Sequence, residues 1–431
     1  MLFLAVARGV FAEGKVRWVR PVVVVGGGTP GLAAVRALGP HGVPVVVAHY
    51  DERDTAHASK WVHEALSCPH PEHDEPAFVA FLILLAARYP GSLLVPASDR
   101  GLVTLAGHAE RLIQAGYLVA APSEWTIRTC LDKSATYALA EQRGVPSPRT
   151  IALSGIEDIE RYAAAAEGSD GFPAVLKPTM SHLYLAKFGR KWTLVDSPEQ
   201  AVTEYLRADE VGLEVVLQEL IPGDERCGVN YNAYFWAGQP LVEMTATKIR
   251  NSPADTGSPS VVVSHELPEL LAPGRQMLRA LNYEGFANIE FKRDPRDGQY
   301  KIIEVNARHN LSATLAVRCG VNFPLLQYRH LVHGEAPHQP PCRQGLYWID
   351  ISRDAKDAMS YLRRPKYTVR RFLRPYLAPH VAAVWDARDP GPAVARARYS
   401  AKAVARLVAR LIRGNRGSAG ARAALRGGKT R

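Results

Sequence analysis

Short apolar runs separated by turn residues recur through the first quarter of the chain. Residues 22–25 and 43–48 are continuous apolar runs typical of buried strands, and residues 93–96 form another short run. A glycine-rich turn and the helical pattern of residues 32–38 follow the first run, and residues 78–89 have a second helical pattern. This rhythm of strand, turn and helix predicts an open parallel sheet, in which ligands bind at the carboxyl ends of the strands.

Strands dominate the middle of the chain. A predicted helix over residues 132–143 and a stiff proline-containing connector over residues 145–148 precede them. The predicted strands occupy residues 174–177, 215–220, 230–236, 241–248, 287–292 and 300–307. From residue 337 to residue 392 the proline content rises, and the pattern is too weak to predict helices or strands.

The composition is that of a globular protein with more than one domain. A length of 431 residues exceeds what a single core usually serves, and 47% hydrophobic with 22% charged residues argues against extended disorder. No apolar run approaches the roughly 18 residues of a spanning helix. The five cysteines are scattered without metal-binding spacing, which favours a reducing, cytoplasmic setting. Residues 1–20 are predicted to be a leader before the first strand rather than a signal peptide.

The positive charge of the chain is concentrated at its end. Residues 394–431 contain eleven Lys and Arg and no acidic residue, which leaves 42 basic residues to match 42 acidic ones elsewhere. Apolar positions recur at helical spacing in this tail, with basic positions opposite: Val404, Leu407, Val408, Leu411 and Ile412 against Lys402, Arg406, Arg410 and Arg413. Such a helix either lies on an anionic membrane surface or packs on the protein's own body. The neutral body, and Tyr399 as the tail's single stacking residue, argue against nucleic acid as a partner.

The turn after the first predicted strand matches a dinucleotide-binding fingerprint. Gly26, Gly28 and Gly31 have the GxGxxG spacing between a strand and a helix, and Asp51 follows twenty residues after Gly31. An NAD(P)-dependent oxidoreductase is therefore one candidate function. The alternative is that these glycines serve only the sharp bend and close packing that such turns require.

Two carboxylates and two carboxamides occupy alternate positions of two neighbouring predicted strands. Asn288 and Glu290 share a face, as do Glu304 and Asn306, and the turn residues 294–298 between them predict a hairpin. In an apolar sheet these groups would repel each other and lack partners, unless a divalent cation lies among them. Oxygen ligands without His or Cys favour Mg²⁺ shared with a phosphate substrate. An exposed face with scattered carboxylates is the alternative explanation of the pattern.

Two lysines are candidates for the other half of a phosphate site. Lys133 stands at the start of a predicted helix, and Lys177 ends an apolar strand, where a buried ammonium group needs an anion. Taken singly, each would be more typical of a lysine at the surface. The chain has no GxxxxGK[ST] loop, which excludes a P-loop nucleotide site.

The order of these motifs resembles the ATP-grasp carboxylate–amine ligases over residues 22–333. The ordered segments are Asp132-Lys133, Leu176-Lys177-Pro178, residues 218–225, Glu290 and residues 304–308. Lys248-x-Arg250 with Pro253 and Gly257, and the motif Asp389-Pro390-Gly391-Pro392, are similar to the D-aspartate ligase branch. The resemblance implies an α/β protein with the ATP-grasp fold. A Rossmann-like parallel sheet domain would span residues 21–125, a small lobe 126–215, a large lobe 216–335, an extension 336–392 and a basic tail 393–431.

The same resemblance implies an ATP site between the two lobes. Lys133 and Lys177 would hold the phosphates, and Ser181 and Lys191 would close over them in place of a glycine-rich loop. Gln218, Glu219, Leu220 and Ile221 would contact adenine, and Glu225 would accept the ribose hydroxyls. Glu290, Glu304 and Asn306 would bind two Mg²⁺ ions, with Mn²⁺ as an alternative, that bridge the β- and γ-phosphates.

The implied chemistry is amide formation through an acyl phosphate, with a small-molecule carboxylate and an amine as substrates. Arg308 would hold the transferring phosphate or the oxyanion, and Lys248 and Arg250 would clamp the acyl phosphate or an acidic substrate. Gly27, Gly28 and Asp99 would border the acceptor pocket. The implied reaction joins D-aspartate or another amino acid to a cell-wall precursor at the inner membrane face. A non-catalytic nucleotide-binding scaffold at the membrane is a further alternative.

Overall fold

The computed structural model describes residues 19–165, 171–179, 181–365 and 367–402, without the side chains of Ser181 and His182. Three sheets follow one another along this part of the chain, with five, four and seven strands. The predicted leader up to residue 18 and the amphipathic positions of the tail from residue 403 onwards lie outside the described residues. Among the helices described, none combines the length and apolar character needed to cross a bilayer.

The first sheet is parallel throughout, in the order β3-β2-β1-β4-β5. Its strands are β1 (Val22–Val25), β2 (Val45–His49), β3 (Val62–Ser67), β4 (Leu93–Pro96) and β5 (Leu118–Val119). Its helices are α1 (Thr29–Leu38), α2 (Glu75–Arg88), α3 (Asp99–Gly107), α4 (Ala109–Gln114) and α5 (Glu124–Leu131). The four valines of β1 are fully buried, as their unbroken apolar run predicts. Because β1 and β4 are neighbours, the glycine-rich turn after β1 and residues 98–99 after β4 meet at one edge.

The second sheet is antiparallel, in the order β6-β9-β7-β8. It consists of β6 (Thr150–Ala152), β7 (Ala174–Pro178), β8 (Thr193–Val195) and β9 (Val215–Glu219). The helices of this region are α6 (Lys133–Gln142), α7 (Ile156–Ala164), α8 (Ser181–Phe188) and α9 (Pro198–Asp209). Asp132 caps α6 by accepting the backbone N–H groups of Ser134 and Ala135, which fixes where the helix begins.

The third sheet has the order β14-β13-β10-β11-β12-β15-β16. Its strands are β10 (Gly228–Trp236), β11 (Gln239–Ser252), β12 (Ser258–Ser264), β13 (Gly285–Arg293), β14 (Tyr300–Asn306), β15 (Tyr347–Ile349) and β16 (His380–Ala382). The helices are α10 (Leu271–Ala280), α11 (Ala313–Cys319), α12 (Phe323–His333), α13 (Ile351–Leu362) and α14 (Val369–Leu377). Tyr231, Ile289, Phe291 and Val305 are buried in one core with Met277 and Leu278 of α10. Since side chains alternate along a strand, the intervening polar residues lie on the opposite face.

The segment from residue 336 to residue 392 is more ordered than the sequence predicts. It contributes β15 and β16 to the third sheet, and α13 and α14 pack near them. Its Asp389 is buried against the first sheet domain, where its carboxylate accepts Arg36 Nε at 2.9 Å and Ser59 Oγ at 2.7 Å. A Cβ atom on Gly391 would lie 2.1 Å from the carbonyl oxygen of Ala58, so this approach requires glycine. The segment that contains Asp389 and Gly391 is thus bound to the first sheet domain.

Candidate active site

The predicted hairpin of β13 and β14 forms, with the polar residues in register. Asn288 lies opposite Asn306 and Glu290 lies opposite Glu304 across the antiparallel pair. The turn between the strands is stabilised by Asp294, which accepts the backbone N–H and the guanidinium of Arg296. The prediction that four oxygen-bearing side chains share one face is therefore confirmed.

The carboxamides on this face hydrogen-bond to one another. Asn306 Nδ2 donates to Asn288 Oδ1 at 3.3 Å, and Asn288 Nδ2 donates to Asn232 Oδ1 at 3.1 Å. Asn310 Nδ2 also donates to Asn232 Oδ1, at 3.2 Å. Asn288 therefore needs no cation as a partner, contrary to the argument from sequence. The hydrogen bond from Asn306 to Asn288 occupies the amide nitrogen of Asn306. The side-chain carbonyl oxygen of Asn306 is therefore the atom left to bind a cation.

Positively charged side chains surround the carboxylate of Glu290. Lys248 on β11 donates its ammonium group to Glu290 Oε2. Burial alone would raise the pKa of Glu290, but Lys248, Lys191 and Arg308 together lower it below its usual value. Glu290 thus remains ionised, opposite the exposed Glu304. Two carboxylates and one carboxamide oxygen are the donor set that Mg²⁺ prefers, so these residues fit the ion.

Lys177 of the second sheet lies near the polar face of the hairpin of β13 and β14. Lys177 at the end of β7 donates to Gln218 Oε1 on the neighbouring strand β9, and Gln218 Nε2 donates to Thr150 Oγ1 at 2.8 Å. Burial, followed by the charge of Lys133, lowers the pKa of Lys177 to about 8, and Glu304 opposes that shift. Lys133 and Glu304 are thus both close enough to Lys177 to influence its charge. Lys177 of the second sheet is therefore within electrostatic reach of the carboxylates of Glu304 and Glu290 on the third sheet.

The segment between β9 and β10 is fixed at both ends. The backbone N–H of Glu219 donates to the carbonyl of Arg149 at 2.8 Å, and the Glu219 carboxylate pairs with Arg296. Lys292 on β13 donates to the carbonyl of Ile221 at 2.7 Å, while Leu220 is partly exposed between them. Lys292 was missed in the sequence, although its position two residues after Glu290 places it on the same face. Burial lowers its pKa.

The two arginines predicted to bind phosphate, Arg308 and Arg250, have different partners and different burial. Arg308 follows β14 and forms a bidentate ion pair with Asp99 at the start of α3, with N–O distances of 2.8 and 2.7 Å. Arg250 is fully buried, with two 2.7 Å bonds to Asp354 of α13 and a third to the carbonyl of Phe372. A guanidinium held in this way does not face a ligand, so the clamp role predicted for Arg250 is wrong.

The segment expected to close over the phosphates is the helix α8. Its first residue, Ser181, has its side chain outside the described atoms. Lys191 follows α8 and donates to Ser258 Oγ at 3.1 Å, and its charge acts on Glu290. Lys191 is therefore near enough to the hairpin to act on Glu290, and the roles of Lys191 and Ser181 over the phosphates stay predictions.

The glycine-rich turn makes a contact that disfavours a dinucleotide. Gly26 has a φ of +98°, and a Cβ on Gly31 would lie 2.2 Å from the Gly26 carbonyl, so both positions require glycine for the bend itself. The backbone N–H of Gly27, which would face a pyrophosphate, donates instead to Asp54 at 2.9 Å. Gly28 is partly exposed beside it. The turn is thus explained by packing, and the acceptor-pocket role of Gly27, Gly28 and Asp99 stays a prediction.

Comparison with known proteins places this geometry in context. Residues 247–329 match the family described as carbamoyl-phosphate synthase L chain, ATP binding domain. The chain is 27% identical over 269 residues to D-aspartate ligase from Enterococcus faecium, which is 58% of this chain and 62% of that ligase. The chain thus spans less than two thirds of the length of this relative.

Solved structures of other proteins have a fold similar to that of this chain. The L-amino acid ligase from Bacillus licheniformis superposes with a TM-score of 0.54 at 17% identity, covering 73% of this chain and 74% of that chain. The biotin carboxylase domain of the 2-oxoglutarate carboxylase from Hydrogenobacter thermophilus, solved with MgADP and bicarbonate, gives a TM-score of 0.58 at 18% identity. That comparison covers 75% of this chain and 72% of that chain. The chain therefore has the ATP-grasp fold, with an open parallel sheet that precedes an antiparallel sheet and a mostly antiparallel sheet, and its candidate site lies between the last two.

Proposed function

We propose that the chain is an ATP-dependent carboxylate–amine ligase that forms an amide through an acyl phosphate. The observation that carries the proposal is the opposition of Lys177 on one sheet to Glu290 and Glu304 on the other, close enough for their charges to interact. Ammonium groups on one side and metal-binding oxygens on the other suit a Mg²⁺ polyphosphate between them.

Each residue has a task in this proposal. Lys177 and Lys133 bind the phosphates of ATP, and the segment from Gln218 to Ile221 contacts the base. Glu290, Glu304 and the oxygen of Asn306 would hold Mg²⁺, one or two ions, and the bound metal would neutralise charge on the β- and γ-phosphates. The carboxamide chain from Asn232 keeps that oxygen oriented.

The reaction proceeds in two displacements. A carboxylate oxygen of the first substrate attacks the γ-phosphorus, the bond from phosphorus to the bridging oxygen breaks, and ADP leaves. The neutral amine of the second substrate then attacks the acyl carbon, phosphate leaves with the electrons of the carbon–oxygen bond, and the nitrogen loses a proton. Arg308 lies beside this hairpin and is the residue we assign to the developing negative charge.

An acidic amino acid is the carboxylate substrate that the surroundings favour. Lys248, Lys191 and Arg308 all act on Glu290, so positive charge is concentrated next to the metal ligands. The similarity to D-aspartate ligase favours aspartate among acidic substrates. We propose a cell-wall precursor as the amine that aspartate joins.

The test is phosphate release from Mg²⁺-ATP in the presence of D- and L-amino acids, with hydroxylamine as a general amine. We expect one acidic amino acid to give both phosphate and the hydroxamate of a trapped acyl phosphate. ATP binding without phosphate release across the whole panel would favour a non-catalytic scaffold. A thermal shift with NADH and none with Mg²⁺-ATP would favour an oxidoreductase.

Attachment to an anionic membrane surface is the finer part of the proposal and depends on residues 403–431. Arg396, in the helix over residues 391–402, pairs with Asp350, so this helix belongs to the body of the protein. Truncation after Lys402 should therefore spare turnover and reduce pelleting with anionic liposomes, and equal pelleting would refute the attachment.

A further inference from the structure

Glu225, the residue proposed to contact ribose, is surrounded by residues distant in sequence. Its side chain is 1% exposed. Oε1 accepts the backbone N–H of Asp255 at 3.0 Å, the hydroxyl of Tyr361 at 2.7 Å and Arg364 Nη1 at 3.4 Å. Two of these three donors come from the segment 336–392, one on α13 and one just after it. All three bind the same oxygen, which fixes the orientation of the carboxylate.

The other carboxylate oxygen is left open. Oε2 of Glu225 is buried and has no hydrogen-bond partner among the described residues. An unsatisfied buried carboxylate oxygen is costly, because it has lost water without gaining a donor. The hydroxyl groups of a ribose are neutral donors of the kind that such an oxygen accepts.

The hydroxyl of Tyr361 has the Glu225 carboxylate as its nearer acceptor. This hydroxyl accepts the backbone N–H of Asn251 at 2.8 Å, and its own proton has two acceptors, Glu225 Oε1 at 2.7 Å and the carbonyl of Asn251 at 3.0 Å. The carboxylate is the nearer acceptor and the charged one, so it is favoured. The side chain is fully buried, with its ring 5.1 Å from that of Tyr367 and the Arg364 guanidinium 4.7 Å above it. Burial and the Glu225 carboxylate raise the pKa of Tyr361 well above its usual value, so the hydroxyl remains a donor at neutral pH.

We propose that Tyr361 is a positioning residue of the nucleotide site: α13 orients Glu225 so that its free oxygen accepts the ribose hydroxyls of ATP. This inference rests on the proposed function. It adds that a helix beyond the matched residues 247–329 contributes to nucleotide binding. Discrimination between a ribose and a deoxygenated sugar then depends on a hydroxyl group that touches no nucleotide.

The experiment compares Mg²⁺-ADP with Mg²⁺-2′,3′-dideoxy-ADP by calorimetry on the full chain. The wild-type protein should bind ADP more tightly than the dideoxy analogue. Tyr361→Phe should weaken ADP binding about tenfold and change dideoxy-ADP binding less than about twofold, because the lost hydrogen bond acts only through the ribose contact. Tyr367→Phe is the matched control: its hydroxyl bonds the carbonyl of Ile249 at 3.3 Å, and both affinities should be unchanged.

A double-mutant cycle keeps the inference falsifiable if one variant is unstable. Glu225→Gln should also reduce the preference for ADP, and adding Tyr361→Phe to it should reduce the preference little further. Equal weakening of both nucleotides by Tyr361→Phe would assign the tyrosine a purely structural role and overturn the inference. A wild-type chain that binds ADP without preferring its ribose would overturn it too. A chain that binds no ADP would overturn the proposed function as well.

Discussion

Arg308, which follows the last strand of the hairpin, is bound through both nitrogens of its guanidinium edge to the carboxylate of Asp99. Asp99 begins α3 in the parallel sheet domain, 209 residues earlier in the chain. Burial would lower the pKa of Arg308, but Asp99, Glu304 and Glu290 raise it above its usual value. The pair therefore connects the edge of the first sheet, where acceptor residues are predicted, to the proposed phosphate site.

Replacement of Arg308 by alanine should lower phosphate release about 10²- to 10³-fold, because it removes the cation assigned to the transferring charge. Asp99→Asn should have a smaller effect, since it removes only the partner that orients the guanidinium. Steady-state phosphate release with the acidic substrate measures both. Arg318→Ala, which removes an exposed arginine paired with Asp386, is the control and should retain full activity. Turnover by Arg308→Ala within a few-fold of wild type would refute the role.

Replacement of Glu304 or Asn306 by alanine should abolish ADP formation and leave the fold intact, because both side chains are proposed to bind the metal and neither belongs to the core. A loss of at least about a hundredfold is expected, with partial recovery at raised Mg²⁺ concentration. Glu284, exposed just before β13, provides the control variant Glu284→Ala. Unchanged turnover in Glu304→Ala, with circular dichroism like that of wild type, would contradict the assignment.

The pH dependence of nucleotide binding follows from Lys177. Its pKa is lowered to about 8, chiefly by burial, whereas in an unfolded chain it would be near 10.5. Above about pH 8 the folded protein loses this charge, so ADP affinity should fall as pH rises from 7.5 to 9.5. Lys177→Arg should show a much flatter profile, because guanidinium stays charged. Calorimetric titration across this range measures the difference, and identical profiles for the two proteins would argue against Lys177 as a phosphate ligand.

The lowered pKa of Lys177 also predicts how the stability of the fold changes with pH. Between pH 8 and 10.5 the unfolded chain binds more protons at Lys177 than the folded chain does. This residue therefore makes stability rise with pH in that window, since the penalty of burying an ammonium group is relieved. Lys177→Met should remove that contribution. Urea unfolding at pH 8 and pH 10 measures the change in the free energy of unfolding with pH for the wild type and for Lys177→Met. The same change in both proteins would contradict the prediction.

Local patterns accounted for much of the fold. The buried run of β1, the strand Leu93–Pro96 and the hairpin of β13 and β14 were all predicted, because apolar periodicity and turn residues are local signals. The segment from residue 336 to residue 392 was not predicted. Its strands β15 and β16 have three residues each and gain their stability from pairing with a sheet formed much earlier in the chain. Such short strands have too few positions to show an alternation.

The error at Arg250 has the same origin. Arg250 is two residues after Lys248 and therefore resembles a second substrate cation, but its partner Asp354 is 104 residues away on a helix that the pattern did not predict. Local sequence indicates which residues carry charge, and long-range pairing decides whether that charge faces a ligand or is buried. Lys292 and Tyr361 were missed for this reason as well, since their partners, the carbonyl of Ile221 and the carboxylate of Glu225, are distant in sequence.

Arg250 and Asp354 form a fully buried ion pair, so removing one partner should destabilise the protein strongly. Asp354→Ala would leave a buried guanidinium without its two 2.7 Å bonds, and a loss of about 3–5 kcal/mol in the free energy of unfolding is expected. The double variant Arg250→Met with Asp354→Leu should lose less, because no buried charge remains. Urea unfolding measures both. Greater loss in the double variant would show that the pair contributes net stabilisation.

The buried contact of Asp389 with Arg36 should hold the segment over residues 336–392 on the first sheet domain. Asp389→Ala removes acceptors for Arg36, Ser59 and the backbone N–H of Lys60, so we expect a loss of about 3–5 kcal/mol in the free energy of unfolding. Asp386→Asn is the control, because its ion pair with Arg318 is partly exposed and contributes at most about 1 kcal/mol. Urea unfolding of both variants measures the difference. If Asp389→Ala were as stable as Asp386→Asn, the contact would be incidental, and the motif at residues 389–392 would need another explanation.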